Sequence, residues 1–100
     1  EVPYFGVHIS TVTQHIAQKY DIPKGVYIKK VEMDSPAMDA GLQSGDVIRS
    51  VAGQEVVSAE QFREALLQLK PKETYSVTVM REGTKGYKKI TCKLKAGVLQ

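Results

Sequence analysis

The stretch from Asp34 to Ile48 leaves the backbone fewer choices than any other part of this sequence, because an N-capping serine, a proline and two glycines fall within it at close intervals. Ser35 before Pro36 marks a helix start. The serine can accept from an orphan N–H of the first turn, and proline occupies the first helical position, where its missing N–H does no harm. Ala37, Met38, Ala40 and Leu42 then fit a short helix, which Gly41 and Gly45 are placed to end through positive φ angles. The run Asp46-Val47-Ile48-Arg49-Ser50-Val51 reads as a strand. Asp46, directly after a glycine turn, can accept from nearby backbone N–H groups as that strand begins.

The flanking segments read as elements joined by short loops. Tyr4 to Ser10 predicts a strand with Phe5, Val7 and Ile9 on one face and His8 and Ser10 on the other. Val12, Ile16, Ala17 and Tyr20 recur at helical spacing, Thr11 with Gln14 fits a capping box, and Pro23 and Gly25 end that helix. Val26, Ile28 and Val31 mark another strand, and Gly53-Gln54 a turn into Glu55-Val56-Val57. Ser58 with Gln61 forms a second capping box, opening a helix whose stripe is Phe62, Ala65, Leu66 and Leu69 and which Pro71 closes. Tyr75, Val77 and Val79 then alternate with polar residues, Glu82 to Gly86 is a hairpin loop, and Tyr87 to Leu94 returns as the last strand. Together these predict an α+β fold: a small, partly open β-barrel or sandwich of about five to six strands with two to three helices.

Composition narrows the function classes. One hundred residues suit one domain with one core. The net charge is +3, but the cations are dispersed, and the densest group (Lys85, Lys88, Lys89, Lys93, Lys95) lies along the last strand as a solvated edge. No nucleic-acid partner is expected from such a pattern. Cys92 is the only cysteine, alternating with Ile90 and Leu94 on an apolar face, so it reads as a buried, inert thiol. No run approaches the roughly 18 apolar residues of a membrane span, and membrane contact is not expected. His8 and His15 read as surface residues, no Cys/His cluster has zinc spacing, and no cofactor is expected. No Gly-x-Ser-x-Gly elbow and no Gly-rich phosphate loop is present, so the chain is not expected to be an enzyme by itself. Because it starts at Glu1, it is expected to be a fragment of a longer protein.

Three segments carry a resemblance. They are Tyr4-Phe5-Gly6-Val7; the series Asp34-Ser35-Pro36-Ala37, Ala40-Gly41-Leu42 and Gly45-Asp46-Val47-Ile48; and Gly53 followed by Ser58-Ala59-Glu60-Gln61-Phe62 and Arg81-Glu82-Gly83. In that order they resemble the PDZ domain, in the bacterial form attached to HtrA-family trypsin-like serine proteases, over roughly Tyr4 to Leu94. Gly41, Gly45 and Asp46 in this pattern build the fold and are not expected to touch a ligand.

The resemblance implies a module that captures the C-terminal ends of other proteins by β-strand addition. The loop Tyr4, Phe5, Gly6 and Val7 would bind the terminal carboxylate through backbone N–H groups. The edge Val7, His8, Ile9 and Ser10 would pair with the peptide. Phe5, Val7, Ile9 and Leu66 would form the pocket for its last side chain, with Ala59 and Arg63 beside the groove. Ala59 offers no hydrogen bond and so implies a permissive position, while Arg63 favours an acidic side chain. A shift of one residue would exchange Ala59 for Glu60 and Arg63 for Phe62 or Glu64. The resemblance further implies a protease domain upstream in the same chain and a location in the bacterial envelope. The alternatives are the PDZ of a C-terminal processing or intramembrane protease, or a scaffold or oligomerisation module without protease. The tail from Ala96 to Gln100 raises one more expectation, occupancy of a neighbouring copy's groove, which the polar Gln100 disfavours.

Overall fold

The computed structural model describes residues 1–99. In chain order the elements are β1 (Val2–Tyr4), β2 (Val7–Val12), α1 (Gln14–Tyr20), β3 (Gly25–Val31), α2 (Pro36–Ala40), β4 (Val47–Val51), β5 (Gln54–Glu55), α3 (Ala59–Leu67), β6 (Thr74–Gly83), β7 (Gly86–Lys95) and β8 (Gly97–Leu99). An antiparallel sheet runs β2-β3-β4-β6-β7 with β5 beside β4, and β1 pairs with β8 as a separate two-stranded ribbon. The expected α+β architecture is present, and the ribbon is the part the sequence reading lacked.

Alternation along the strands puts one face of the sheet into a core. Val26 and Ile28 of β3, Ile48 and Val51 of β4, Val77 and Val79 of β6 and Leu94 of β7 are buried, and α2 adds Ala37 and α3 adds Phe62 and Ala65. Cys92 is buried in the same cluster, and burial pushes its thiol pKa up, away from nucleophilic use. On β7, an outer strand of the sheet, Lys88, Lys89, Lys93 and Lys95 are exposed, which discourages pairing with another chain.

The Asp34–Ile48 stretch behaves as its residues dictate. The Ser35 hydroxyl accepts from Met38 N–H at 3.1 Å, Pro36 opens α2, and Gly41 ends it at φ +90°. Asp46 accepts from Gln43 N–H at 3.0 Å and is gripped by Arg81, whose Nε lies 2.9 Å from one carboxylate oxygen and whose Nη2 lies 2.7 Å from the other. Arg81 also donates to the Gly41 carbonyl at 2.8 Å. A two-pronged pair, with the guanidinium donating further to a carbonyl and the carboxylate accepting a backbone N–H, is the arrangement in which a buried ion pair holds.

Two local expectations are corrected. Thr11 does not cap α1, and Val12 belongs to β2; the cap is Thr13, whose side chain accepts from Ile16 N–H. Nor do Pro23 and Gly25 end this helix, since Asp21 stops it in the left-handed region at φ +55°. The second capping box forms in altered shape. Ser58 accepts from Gln61 N–H, but Gln61 returns to the N–H of Val57. The tail from Gly97 to Leu99 is extended and pairs within its own chain, with Tyr4, Pro3 and Val2. The expectation for Gln100 lies outside the described residues.

Candidate functional site

The strand predicted from Tyr4 to Ser10 is broken at Phe5 and Gly6, and this break creates the site. β1 ends at Tyr4 and β2 begins at Val7. Between them the Phe5 carbonyl accepts from Ala37 N–H at 2.9 Å and the Gly6 carbonyl from Glu32 N–H at 2.8 Å. In a trans peptide unit the N–H points opposite the C=O. With both carbonyls tied towards α2 and the end of β3, the N–H groups of Gly6 and Val7 are turned the other way. The register agrees for Val7: its pairing with Val31, flanked by the Glu32-to-Gly6 bond, is a non-hydrogen-bonded pair, so its own N–H faces the free side of β2. Gly6 has φ +87°, which permits the turn and lets successive N–H groups converge.

β2 pairs with β3 on one side only, and its other edge faces α3. Between them lie two adjoining cavities. One, of about 350 Å³, sits at the loop and is lined by Tyr4, Phe5, Gly6 and Val7, by Phe62 and Leu66 of α3, and by Val2, Leu67 and Leu99. The second, of about 330 Å³, continues along β2 beside Val7, His8 and Ile9, with Lys29 across from Phe62, Arg63 and Leu66. Val7, Phe62, Arg63 and Leu66 belong to both.

The loop is fixed from its outer side by Glu32. Its carboxylate accepts from the Tyr4 hydroxyl at 2.5 Å, and its second oxygen lies 3.0 Å from His8 Nε2. The Tyr4 bond first, with His8 and Lys30 adding to it, holds the Glu32 pKa below its usual value of 4.5 against the opposing effect of desolvation. The same bond raises the Tyr4 pKa above 10.0. At the other end of the groove, Thr11 Oγ1 accepts from Ala59 N–H at 2.9 Å, tying the first turn of α3 to β2.

The structure brings most of the expected site residues together, with distinctions. Gly6, Val7, Ile9, Arg63 and Leu66 line the cavities, and Leu66 is half-buried. Phe5 is core as well as wall: it is 1% exposed and meets Phe62 edge-on with ring centroids 5.9 Å apart. The Tyr4 hydroxyl is spent on Glu32. Ala59 and Ser10 line neither cavity, and Ser10 instead borders a separate hollow with Tyr20 and Tyr27. Sequence reasoning gave Phe62 to the helix stripe, and to the groove only under a one-residue shift; it read Thr11 as a cap of the next helix and passed over Lys29 and Glu32. No signal in the sequence marks the last three, since each acts through a partner brought in by the fold. Among the described residues no group of three or more His, Cys, Asp or Glu side chains is placed to hold a metal ion.

Comparison with known proteins agrees with the fold. A family model described as PDZ domain matches residues 3–93. A probable periplasmic serine endoprotease, DegP-like, from Pseudomonas putida is 37% identical over 89 residues, covering 89% of this chain and 18% of that protein. The serine protease Do-like HtrA of Bacillus subtilis is 34% identical over 101 residues, covering 90% of this chain and 22% of that protein. The chain thus spans about a fifth of the length of these relatives. Among solved structures, the HtrA3 PDZ domain bound to a phage-derived ligand, FGRWV, superposes with a TM-score of 0.77 at 25% identity over 97% of this chain and 86% of that one. The HtrA-type protease AlgW with a decapeptide superposes with a TM-score of 0.84 at 24% identity, covering 99% of this chain and 30% of that one.

Proposed function

The chain belongs to the PDZ domain family, in the form carried by HtrA and DegP-like serine proteases, and on that premise we propose that it captures the free C-terminal end of a protein by adding it as a strand to the open edge of β2. One observation carries the reading: the Gly6 and Val7 N–H groups are turned to the free side of β2, beside the apolar cavity formed by Phe5, Phe62 and Leu66. A terminal carboxylate placed there accepts charge-assisted bonds, roughly twice as strong as neutral ones, while its side chain enters the cavity. Backbone pairing along Val7 to Ser10 then sets the direction of the peptide without reading its sequence. An interface of this size supports affinity near micromolar, about −8 kcal/mol.

In the full-length protein we place this module after a protease domain outside the cytoplasm, where it would deliver or sense substrate C-termini. The support is the naming of the relatives as periplasmic serine endoproteases and the small share of them that this chain covers. Among the described residues no helix is long and apolar enough to cross a membrane. The test is fluorescence anisotropy with the pentapeptide FGRWV as free acid and as amide. Strand addition through the carboxylate predicts that amidation weakens binding at least about tenfold, the value of one lost charge-assisted bond. Equal affinity of the two forms overturns the reading.

A further inference from the structure

Resting on that strand-addition reading, we propose that the groove selects peptides with an acidic side chain at the third residue from the end, held between Lys29 of β3 and Arg63 of α3. The placement of Lys29 comes from an irregularity in the sheet. His8 pairs with Lys30, but Ile9 pairs with Ile28, so Lys29 is the extra residue of a β-bulge. Bulges bend the strand and re-aim a side chain. Here the bulge residue lines the same cavity as Arg63, which α3 offers from the opposite wall.

The charges in that cavity are unbalanced. Among the described residues the ion pairs are His8 with Glu32 and Arg81 with Asp46, so Lys29 and Arg63 are in neither. Glu60 and Glu64 flank Arg63 on α3 without pairing to it. His8, the remaining polar side chain of the cavity, already faces the Glu32 carboxylate at 3.0 Å. Two cations without carboxylate partners on either side of an open cleft attract an anion, and the arginine fork can bind a carboxylate through two bonds.

Spacing assigns the peptide position. The terminal side chain occupies the cavity at the loop, and the Lys29–Arg63 cavity adjoins it along β2. Side chains on one face of a strand recur every second residue, roughly 7 Å apart. The next side chain directed at α3 is therefore that of the third residue from the end.

The experiment compares FGRWV variants with Glu, Gln or Lys in place of the arginine, by anisotropy at low and at physiological salt, against the wild-type chain and the K29Q/R63Q double variant. The expected result is about fivefold tighter binding of the Glu peptide than the Gln peptide at low salt and weaker binding of the Lys peptide. The Glu preference shrinks with salt and falls towards one in K29Q/R63Q. Equal Glu and Gln affinities with amidation still abolishing binding overturn the acidic preference alone. Preference for Glu that persists in K29Q/R63Q overturns its assignment to these two residues. Failure of every free-acid peptide to bind overturns the strand-addition reading beneath it.

Discussion

Gly6 lies so close to Ser35 that a Cβ placed on it would fall 2.3 Å from the Ser35 Cβ and 2.8 Å from its hydroxyl oxygen. Ser35 is fixed in turn, donating to the Glu32 carbonyl at 2.8 Å while capping α2. The loop bearing the outward N–H groups is thus clamped onto the start of α2 by the absence of a side chain. Gly6→Ala should lose about 3 kcal/mol of stability, from the positive φ and the clash together, in urea denaturation. Ser35→Gly frees the space at little capping cost, so the double variant should be less destabilised than the sum of the two singles. Strict additivity would show that the two residues do not press on each other.

The Asp46–Arg81 pair is a second, independent support. The Asp46 side chain is 3% exposed and that of Arg81 22%. Arg81→Met leaves a buried carboxylate without its cation and should cost about 3–5 kcal/mol. Because neither residue lines the groove, peptide affinity measured on folded protein should stay within about twofold of wild type. A large affinity loss with unchanged stability would place the pair in the binding machinery instead.

The Tyr4–Glu32 bond predicts a pH signature. The Glu32 pKa is depressed in the folded chain, so its contribution is complete above about pH 4.5, the ordinary carboxylate value, and fades as pH falls through the lower folded value. Tyr4→Phe should therefore be less stable than wild type at pH 7, with the gap closing as pH falls below about 4.5. Urea midpoints at a series of pH values check this, and a gap that widens on acidification would contradict it.

Helix α3 is tied to β2 at its first turn by a single bond, from Ala59 N–H to Thr11 Oγ1. Thr11→Val keeps the shape of the side chain and removes the acceptor, leaving that N–H half-buried and unpaired. The expected stability loss is about 1 kcal/mol. With the groove less firmly held, peptide binding should weaken through a faster off-rate, readable by surface plasmon resonance.

What could be read from the sequence divides along a physical line. Ser35-Pro36, Gly41 and the Phe62–Ala65–Leu66 stripe act within a few residues of themselves, so local chemistry predicts them correctly. Thr11 is misread as a cap for the adjacent helix because its partner, Ala59, is 48 residues away. β1 and β8 have three residues each, too few for a period to emerge, and their pairing joins the two ends of the chain. The Lys29 bulge is a register shift between two strands, a property of neither sequence alone. Of the site, the loop and the edge strand were legible through Tyr4-Phe5-Gly6-Val7, whereas the tethers that aim them come from Glu32, Ala37 and Thr11.

The central claim is that a carboxylate sits on the Gly6 and Val7 amides, and nitrogen-15 NMR of the chain titrated with FGRWV tests it at those atoms. The free-acid peptide should move the Gly6 and Val7 N–H signals strongly downfield as hydrogen bonds to an anion form, and the amidated peptide should leave them nearly unmoved. Equal shifts with both peptides, or shifts confined to another surface while Gly6 and Val7 stay still, would contradict the account.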